Sequence, residues 1–448
     1  MQFYSLNKKS DPVSFREATI AGQAPDKGLY FPEHIPVFGK DFFASSEKRS
    51  DIETAFQVIR PYAGDSIPDT ELYRIVEETL SFPIPLVKLS EDVYTLELFH
   101  GPTLAFKDVG ARFMSRCLGY FSKESSEKVT VLVATSGDTG GAVADGFYEV
   151  PGVEVVILYP SGKVSPVQEK QLTTLGKNIR ALEVNGNFDD CQALVKKAFA
   201  DTELKKSLFL TSANSINVAR WLPQQFYYFS IWRQWVKKDT SPIISVPSGN
   251  FGNICAGMLA HQSGLPVKHF IAACNENDVV TRFLQDGAYQ PKTAVPTISN
   301  AMDVGDPSNF IRIMELFDQE TEPLKDILSS YRFTDDQTRE AMERLYKEYG
   351  YMADPHGAVG FLALEAYCRE HGKIGSTLRQ NFNPSHPTNP GVFLETAHPV
   401  KFPDEVEKAI KKTIPWPDSI KALANKEKQA GLLEPVYEGF RDYLLRHS

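Results

Sequence analysis

Five short runs in this chain are apolar throughout and rich in β-branched residues: VTVLVATSG (129–137), VEVVILYPSG (153–162), PIISVPSGN (242–250), HFIAACNEN (269–277) and GVFLETAHP (391–399). Each breaks off into a cluster of Ser, Thr, Gly, Asn or Pro. A strand with one face in water alternates apolar and polar residues, whereas a strand apolar along its whole length is covered on both faces. Helical patterns lie between the runs, among them 108–121 and 189–200. This alternation predicts an α/β fold with parallel sheets and helices on both faces. Ligands of such sheets bind beyond the carboxyl ends of the strands, where the Gly- and Ser-rich clusters fall.

The first ninety residues have a different rhythm. Helical spacing at 51–64 and 69–81 is interrupted by the proline-rich segments LYFPEHIPVFG (29–39) and SFPIPLVKL (81–89), which force extended or turning backbone. Residues 1–90 therefore read as an extra, mainly helical N-terminal domain, and 91–448 as the α/β region. A chain of 448 residues with a 42% hydrophobic fraction has ample material for two or three domains. Helical stretches at 334–349 and after Pro403 are amphipathic and carry no chemical signal.

The balance of charge excludes some functions. A formal charge of -9, from 48 basic and 57 acidic residues, argues against a nucleic-acid binder, which presents a basic face. The five cysteines are scattered and never form a C-x-x-C pair, so neither a disulfide framework nor a zinc knuckle is expected. The nine histidines show no H-x-x-x-H ligand pair, and no metal is expected. The N-terminus lacks the apolar stretch of a signal peptide, and no run approaches the ~18 apolar residues that span a bilayer. The expected protein is cytoplasmic, with no membrane partner.

Three features bear on chemistry. SGNFGN (248–253) follows a strand and opens a helical pattern, so its backbone N–H groups and the helix dipole form a cradle for phosphate. Gly249 and Gly252 would let the backbone approach an anion closely. The ordinary alternative is a strand-to-helix turn. TSGDTGG (135–141) has the same context, with Ser136 and Thr139 positioned for a second anion and Asp138 suited to cap the helix. Lys107 follows the turn-forming HGPT and the apolar Leu104, Ala105 and Phe106. Apolar surroundings disfavour an ammonium and lower a lysine's pKa, and such an amine forms Schiff bases with carbonyl compounds. Against this stands the common case of a lysine that reaches into water.

The stretches HGPTLAFKD, TSGDTGGAVADGF, SGNFGN and ETAHPVKF, together with FREATIAGQAPDKGLYFPEHIP (15–36), PSGKVSPVQEKQLTTLG (160–176), SANSINVARWLPQ (212–224) and NAMDVGDPSNF (300–310), resemble those of the threonine synthase family in its longer bacterial and fungal type. The resemblance covers nearly the whole chain. It implies the pyridoxal-phosphate fold-type II (tryptophan synthase β-like), with the cofactor between two subdomains of 91–448. It further implies that Lys107 forms the Schiff base with pyridoxal 5'-phosphate and serves as the catalytic base. Gly249, Asn250, Phe251, Gly252 and Asn253 are then expected to hold the cofactor phosphate through amides and the Asn side chains, and Thr396 to face the ring nitrogen. A neutral partner there leaves the ring a restrained electron sink.

Ser136, Asp138 and Thr139 match the loop near the substrate carboxylate. Ser161, Lys163, Asn217 and Arg220 lie in segments expected to bind the substrate phosphate, against the plainer readings of a solvated Lys163 and a structural Arg220 paired with a carboxylate. Asp354, His356 and Gly357 are assigned a structural role, with His356 hydrogen-bonded. Two positions depart from the family pattern: Asn253 where Asp is expected, and Gly357 where Ala or Thr is expected. The implied reaction turns O-phospho-L-homoserine and water into L-threonine and phosphate, carried out by a monomer or homodimer. A related threonine or serine dehydratase and a non-catalytic, ligand-binding relative are the alternatives.

Overall fold

All five apolar runs are strands flanked on both sides by parallel neighbours in the computed structural model, which describes residues 1–123, 128–371 and 390–447. The chain opens with β1 (Gln2–Ser5), β2 (Val13–Ser14) and β3 (Tyr30–Pro32), a small antiparallel sheet in the order β2-β1-β3. Strands β4 (Leu86–Lys88) and β5 (Val93–Glu97) begin a second sheet. A third is built by β6 (Val129–Ala134), β7 (Val153–Pro160), β8 (Ile179–Val184) and β9 (Phe209–Ser212). The chain then returns to the second sheet with β10 (Ile243–Pro247), β11 (His269–Cys274), β12 (Leu328–Arg332) and β13 (Gly391–Glu395), and adds β14 (Ala430–Leu433) to the third.

The second sheet runs β12-β11-β10-β13-β5-β4 and the third β14-β8-β7-β6-β9. Their pairings are parallel except β4 with β5. The two sheets share a topology. From β6 the chain steps outward to β7 and β8, then places β9 on the other side of β6. From β10 it steps to β11 and β12, then places β13 on the other side of β10. Strand order therefore reverses at β6 and at β10. The connections on either side of such a strand leave in opposite directions, which opens a crevice at its carboxyl end. TSGDTGG follows β6 and SGNFGN follows β10.

The N-terminal region contains the expected helices, Asp51–Ala63 and Asp69–Thr79, preceded by a helix at Phe15–Ala21. Capping boxes at Ser14/Glu17 and Ser50/Glu53 fix two of their starts. It also contains the β1–β3 sheet, whose strands of two to four residues are too short to show a period in sequence. Its elements end at Thr79, because β4 already belongs to the second sheet. The region shares a core with the rest: Phe15 lies 6.5 Å from Phe113 and 6.4 Å from Phe121, ring centre to ring centre. Both partners are on the Lys107–Ser122 helix.

The Pro355–Glu370 helix packs across β10, β11 and β13 and approaches β13 closely at one point. A Cβ on Gly357 would fall 1.2 Å from Glu395 Oε2. Glu395 is fully buried; its Oε1 accepts the Asp354 N–H at 2.5 Å, and its Oε2 has no partner among the described residues. Burial, reinforced by the charge of Asp354, raises its pKa well above the ordinary 4.5.

Two outcomes follow from this contact. Gly357→Ala should destabilise the fold by about 2–3 kcal/mol in chemical denaturation, since the clash is with a buried group; adding Glu395→Gly should recover most of the loss. Glu395 keeps its proton in the folded chain while the unfolded carboxyl ionises, so its contribution to stability falls as pH rises above 4.5. Glu395→Gln keeps the acceptor for Asp354 and removes the ionisation. Its thermal midpoint should exceed that of the parent at pH 8, and the advantage should vanish as pH falls to about 4.5.

Candidate active site

The crevices beyond β6 and β10 merge into one cavity of about 1390 Å³. Lys107, Ser136, Asp138, Thr139, Arg220, Gly249, Asn250, Phe251, Gly252, Asn253 and Thr396 all border it. Four segments deliver all but Arg220, which lies on the Val218–Trp221 helix. Lys107 is the first residue of the Lys107–Ser122 helix, reached from β5 through a turn in which Leu104 has φ 59°. The Asp138–Phe147 helix starts directly after β6 and Gly252–Gln262 shortly after β10. Thr396 follows β13, and its carbonyl accepts the Phe106 N–H at 2.9 Å, tying it to the residue before Lys107.

The glycines of the β10 loop also let neighbouring loops approach closely. The space a Gly249 side chain would need is filled by Met302, whose Cα would be 2.6 Å from the Cβ. At Gly252 the neighbours are Asn309 Nδ2 at 3.3 Å and Ser215 Cβ at 3.4 Å. A side chain at 249 has no room beside the Met302 backbone, whereas one at 252 would meet close but tolerable neighbours. Phe251 turns the chain with φ 58°. The Asn250 side chain joins loops, donating to Ser215 Oγ at 2.7 Å and accepting the Ser308 N–H at 2.6 Å. Asn253 accepts the Tyr228 hydroxyl at 2.8 Å. Its Nδ2 is buried without a partner among the described residues, leaving a donor for a ligand.

In the β6 loop the helix amides are held by Thr135, whose Oγ1 accepts the N–H groups of Gly137 and Gly140 at 2.9 Å each. Asp138 is inside the helix instead of capping it. Its Oδ1 accepts Lys401 Nζ at 2.7 Å and Gln168 Nε2 at 2.9 Å. That carboxylate is thus committed to the protein, and Ser136 and Thr139 are the partly open side chains of the loop. Burial alone would raise the Asp138 pKa, but the positive charges of Lys401 and Lys107 outweigh it and hold the carboxyl well below its usual range.

Lys107 borders the cavity half-buried, 5.6 Å from the Phe106 ring centre. Desolvation lowers its pKa to about 8; Asp138 opposes the shift, and the charges of Lys401 and Arg220 add to it. Next to it, Asp108 accepts the Thr103 N–H at 2.9 Å and is pushed up to about 6 by burial. Arg220 is buried with its pKa lowered to about 10 by desolvation. It binds the Ala213 carbonyl and makes no ion pair among the described residues, so the expected alternative of a carboxylate partner is absent there.

Three residues expected at the substrate phosphate lie off the cavity wall. Ser161 donates to Glu183 Oε1 at 2.7 Å and Lys163 is exposed. Asn217 is fully buried: its Nδ2 donates to the carbonyls of Thr19 (2.9 Å) and Ser212 (3.3 Å), and its Oδ1 accepts the Ala219 N–H. Its amide is spent starting the Val218–Trp221 helix. His356 is hydrogen-bonded at both ring nitrogens, to Asp354 and to the Ala301 N–H at 3.2 Å, while bordering the cavity. Lys401, Asp108 and Gln168 escaped the sequence reading. Lys401 sits between Val400 and Phe402, the same apolar flanking that singled out Lys107, and that criterion applied to every lysine would have found it.

The family profile "Pyridoxal-phosphate dependent enzyme" matches residues 79–377. "Threonine synthase N terminus" matches 2–80 and "Threonine synthase, C-terminal" matches 374–443. Threonine synthase of Escherichia coli (strain K12) is 43% identical, with all of both chains covered. The enzyme of Saccharomyces cerevisiae is 34% identical over 97% of this chain and 95% of its own. Among solved structures, threonine synthase from Escherichia coli aligns with a TM-score of 0.90 at 42% identity, covering 100% of each chain. A PLP-bound threonine synthase from Brucella melitensis aligns at 0.90 and 35% identity, covering 100% of this chain and 99% of that one. Threonine deaminase isoform 2 from Solanum lycopersicum, at 15% identity and a TM-score of 0.57 over 85% of this chain and 97% of its own, shares the fold alone. By profile, sequence and structure, the chain belongs to the threonine synthase family.

Proposed function

We propose that this chain is a lyase that converts O-phospho-L-homoserine and water to L-threonine and phosphate, with pyridoxal 5'-phosphate as its cofactor. The observation that carries the reading is the meeting, at one cavity, of a lysine of lowered pKa with two glycine-containing loops, each opening a helix. The residues present fit the cofactor. The Gly252–Gln262 helix begins with N–H groups that have no intrahelical acceptor, and Asn253 Nδ2 is a buried donor without a partner among the described residues. These would hold the phosphate, Lys107 the aldehyde carbon, and the Thr396 hydroxyl the ring nitrogen. Bound there, pyridoxal phosphate supplies an electron sink for charge developing on the substrate carbons.

The chain's own groups supply binding and proton transfer. With a pKa of about 8, Lys107 is neutral in a large fraction of molecules at mildly alkaline pH and can take the Cα proton. A second proton leaves Cβ as phosphate leaves Cγ; Cγ then takes up a proton, water adds its oxygen at Cβ and gives up a proton, and Lys107 returns a proton to Cα. Ser136 and Thr139, beside the Thr135-held amides, suit the substrate carboxylate. Arg220 suits the substrate phosphate, because it borders the cavity and its guanidinium has no carboxylate partner among the described residues. A dehydratase, whose substrate carries a carboxylate but no phosphate, would need no second phosphate site. The five cysteines are free and buried, which suits a reducing, cytoplasmic setting, and no helix among the described residues is long and apolar enough to cross a membrane. We take the working unit to be a monomer or homodimer, which sedimentation distinguishes.

Incubation with phosphohomoserine should yield threonine and phosphate in equal amounts and no keto acid; keto acid and ammonia without threonine would overturn the assignment. Lys107→Ala should lower turnover at least ~1,000-fold and remove the visible absorbance of bound cofactor. Gly249→Ala, whose Cβ meets the Met302 backbone at 2.6 Å, should displace the loop. Spectrophotometric titration should show cofactor affinity weakened at least ~10-fold.

A further inference from the structure

Lys401 is a wholly buried lysine outside the expected set of site residues. It lies in the Pro399–Lys401 turn, five residues beyond Thr396. Its Nζ has two partners: Asp138 Oδ1 at 2.7 Å and the Thr103 carbonyl at 2.9 Å. Thr103 stands four residues before Lys107 in the turn that delivers it, and its N–H donates to Asp108. Asp138 begins the helix after β6. One ammonium group therefore ties together the segment after β13, the turn before Lys107 and the first residue of the β6 helix. A buried cation is costly unless paired and hydrogen-bonded, and a methionine would fill the same space without that cost. The charge needs a reason.

The charged groups around Lys107 supply one. Asp138, on the β6 helix, and Arg220, on the Val218–Trp221 helix, border the same cavity as Lys107, and Lys401 reaches Asp138 from the turn after β13; all three act on Lys107 through their charge. Asp108 and His398 also feel Lys401, and Asp108 and Tyr227 feel Arg220. Of these, Asp138 is the anion that acts on Lys107. Left without a cation of its own, it would draw a proton onto the Lys107 amine, and a protonated amine can neither attack a carbonyl nor accept a proton.

We propose that Lys401 is a positioning residue for Lys107: by holding Asp138 in an ion pair it stops that carboxylate from fixing the Lys107 amine as an ammonium ion. Gln168, donating to the same Oδ1 at 2.9 Å, keeps the carboxylate turned to Lys401. The inference rests on Lys107 being the reactive amine of the proposed function. Two effects of removing Lys401 have the same sign. A nearby positive charge disappears, and Asp138 is released to act on Lys107 alone; both favour the ammonium.

The test is made on the cofactor-free protein, where Lys107 titrates as a plain amine. Competitive acetylation with acetic anhydride between about pH 6 and 11, followed by mass spectrometry of the Lys107 peptide, gives its midpoint. The parent protein should titrate near 8. Lys401→Met should raise the midpoint by at least ~1 pH unit, about a 10-fold loss of reactivity at pH 8. Asp138→Asn should lower it below the parent's, and the double variant should return towards the parent. With cofactor restored, the acid limb of kcat/KM for Lys401→Met should move to higher pH by the same amount.

A midpoint unchanged or lowered in folded Lys401→Met would overturn the proposal, as would a double variant as high as the single one. If Lys401→Met does not fold, Asp138→Asn alone decides: an unchanged or raised midpoint overturns it. The proposed function fails separately, by absence of threonine formation in the parent protein, whatever Lys107 does in the labelling.

Discussion

A parallel strand covered on both faces can present polar backbone and side chains only at its ends, and here both large sheets turn the same ends towards one cavity. Nearly everything else about the site follows from that constraint. The strand order reverses at β6 and at β10, so a helix N-terminus opens into the cavity from each sheet. Strand β13 lies beside β10 and β5 beside β13, which puts Thr396 next to the β10 loop and Lys107 next to Thr396. The hydrogen bond from Phe106 N–H to the Thr396 carbonyl is the local expression of this adjacency. Four segments far apart in sequence are brought together by sheet order alone, and the side chains only have to be of the right kind.

That arrangement places ionisable groups where water is scarce, and charge there must be compensated nearby. The chain does so in two ways. Around Lys107 it uses opposed charges: Asp138 faces two lysines, and the carboxyl stays ionised while the lysine bordering the cavity has its pKa lowered to about 8. Behind β13 it withholds charge. Glu395 is buried beside Asp354 with one oxygen unpartnered among the described residues, and is driven towards its neutral form. Asp108, held by Thr103, is pushed up to about 6 by the same desolvation. Carboxyls bordering or backing one site are thus shifted in opposite directions by what surrounds them.

The central strands of the two large sheets were legible in the sequence; the edge strands, and β5 and β8 next to an edge, were not. Strands β6, β7, β10, β11 and β13 each have two neighbours and read as unbroken apolar runs. Strands β4, β9, β12 and β14 are sheet edges, and segments such as LSSYR in β12 carry polar residues because one side of the strand has no partner. Nothing in such a segment separates it from a loop. The same division holds at the site. Motifs that consist of backbone geometry, the two loops and the turn before Lys107, are local and could be read. Whether Ser161 or Asn217 faces the cavity depends on which way a residue points after a strand, and there Glu183 and the carbonyls of Thr19 and Ser212 take those side chains. For Lys401 the apolar flanks were local and readable, but its pairing with Asp138, 263 residues away in sequence, exists only in the fold.

The two departures from the family pattern are explained by their neighbours. At Gly357 the end of the Glu395 side chain occupies the place of a Cβ; a larger residue at 357 requires Glu395 to move aside or be smaller. The two positions lie on different elements, the Pro355–Glu370 helix and β13, so the dependence could not be seen along the chain. At Asn253 the amide oxygen accepts from Tyr228 while the nitrogen is left as a donor among the described residues. An aspartate could keep the first bond but would offer an acceptor, and a negative charge, where the amide offers an N–H. In the proposed phosphate cradle, the amide would give one more donor and no repulsion. The local departure therefore strengthens the chemistry that the helix N-terminus already provides.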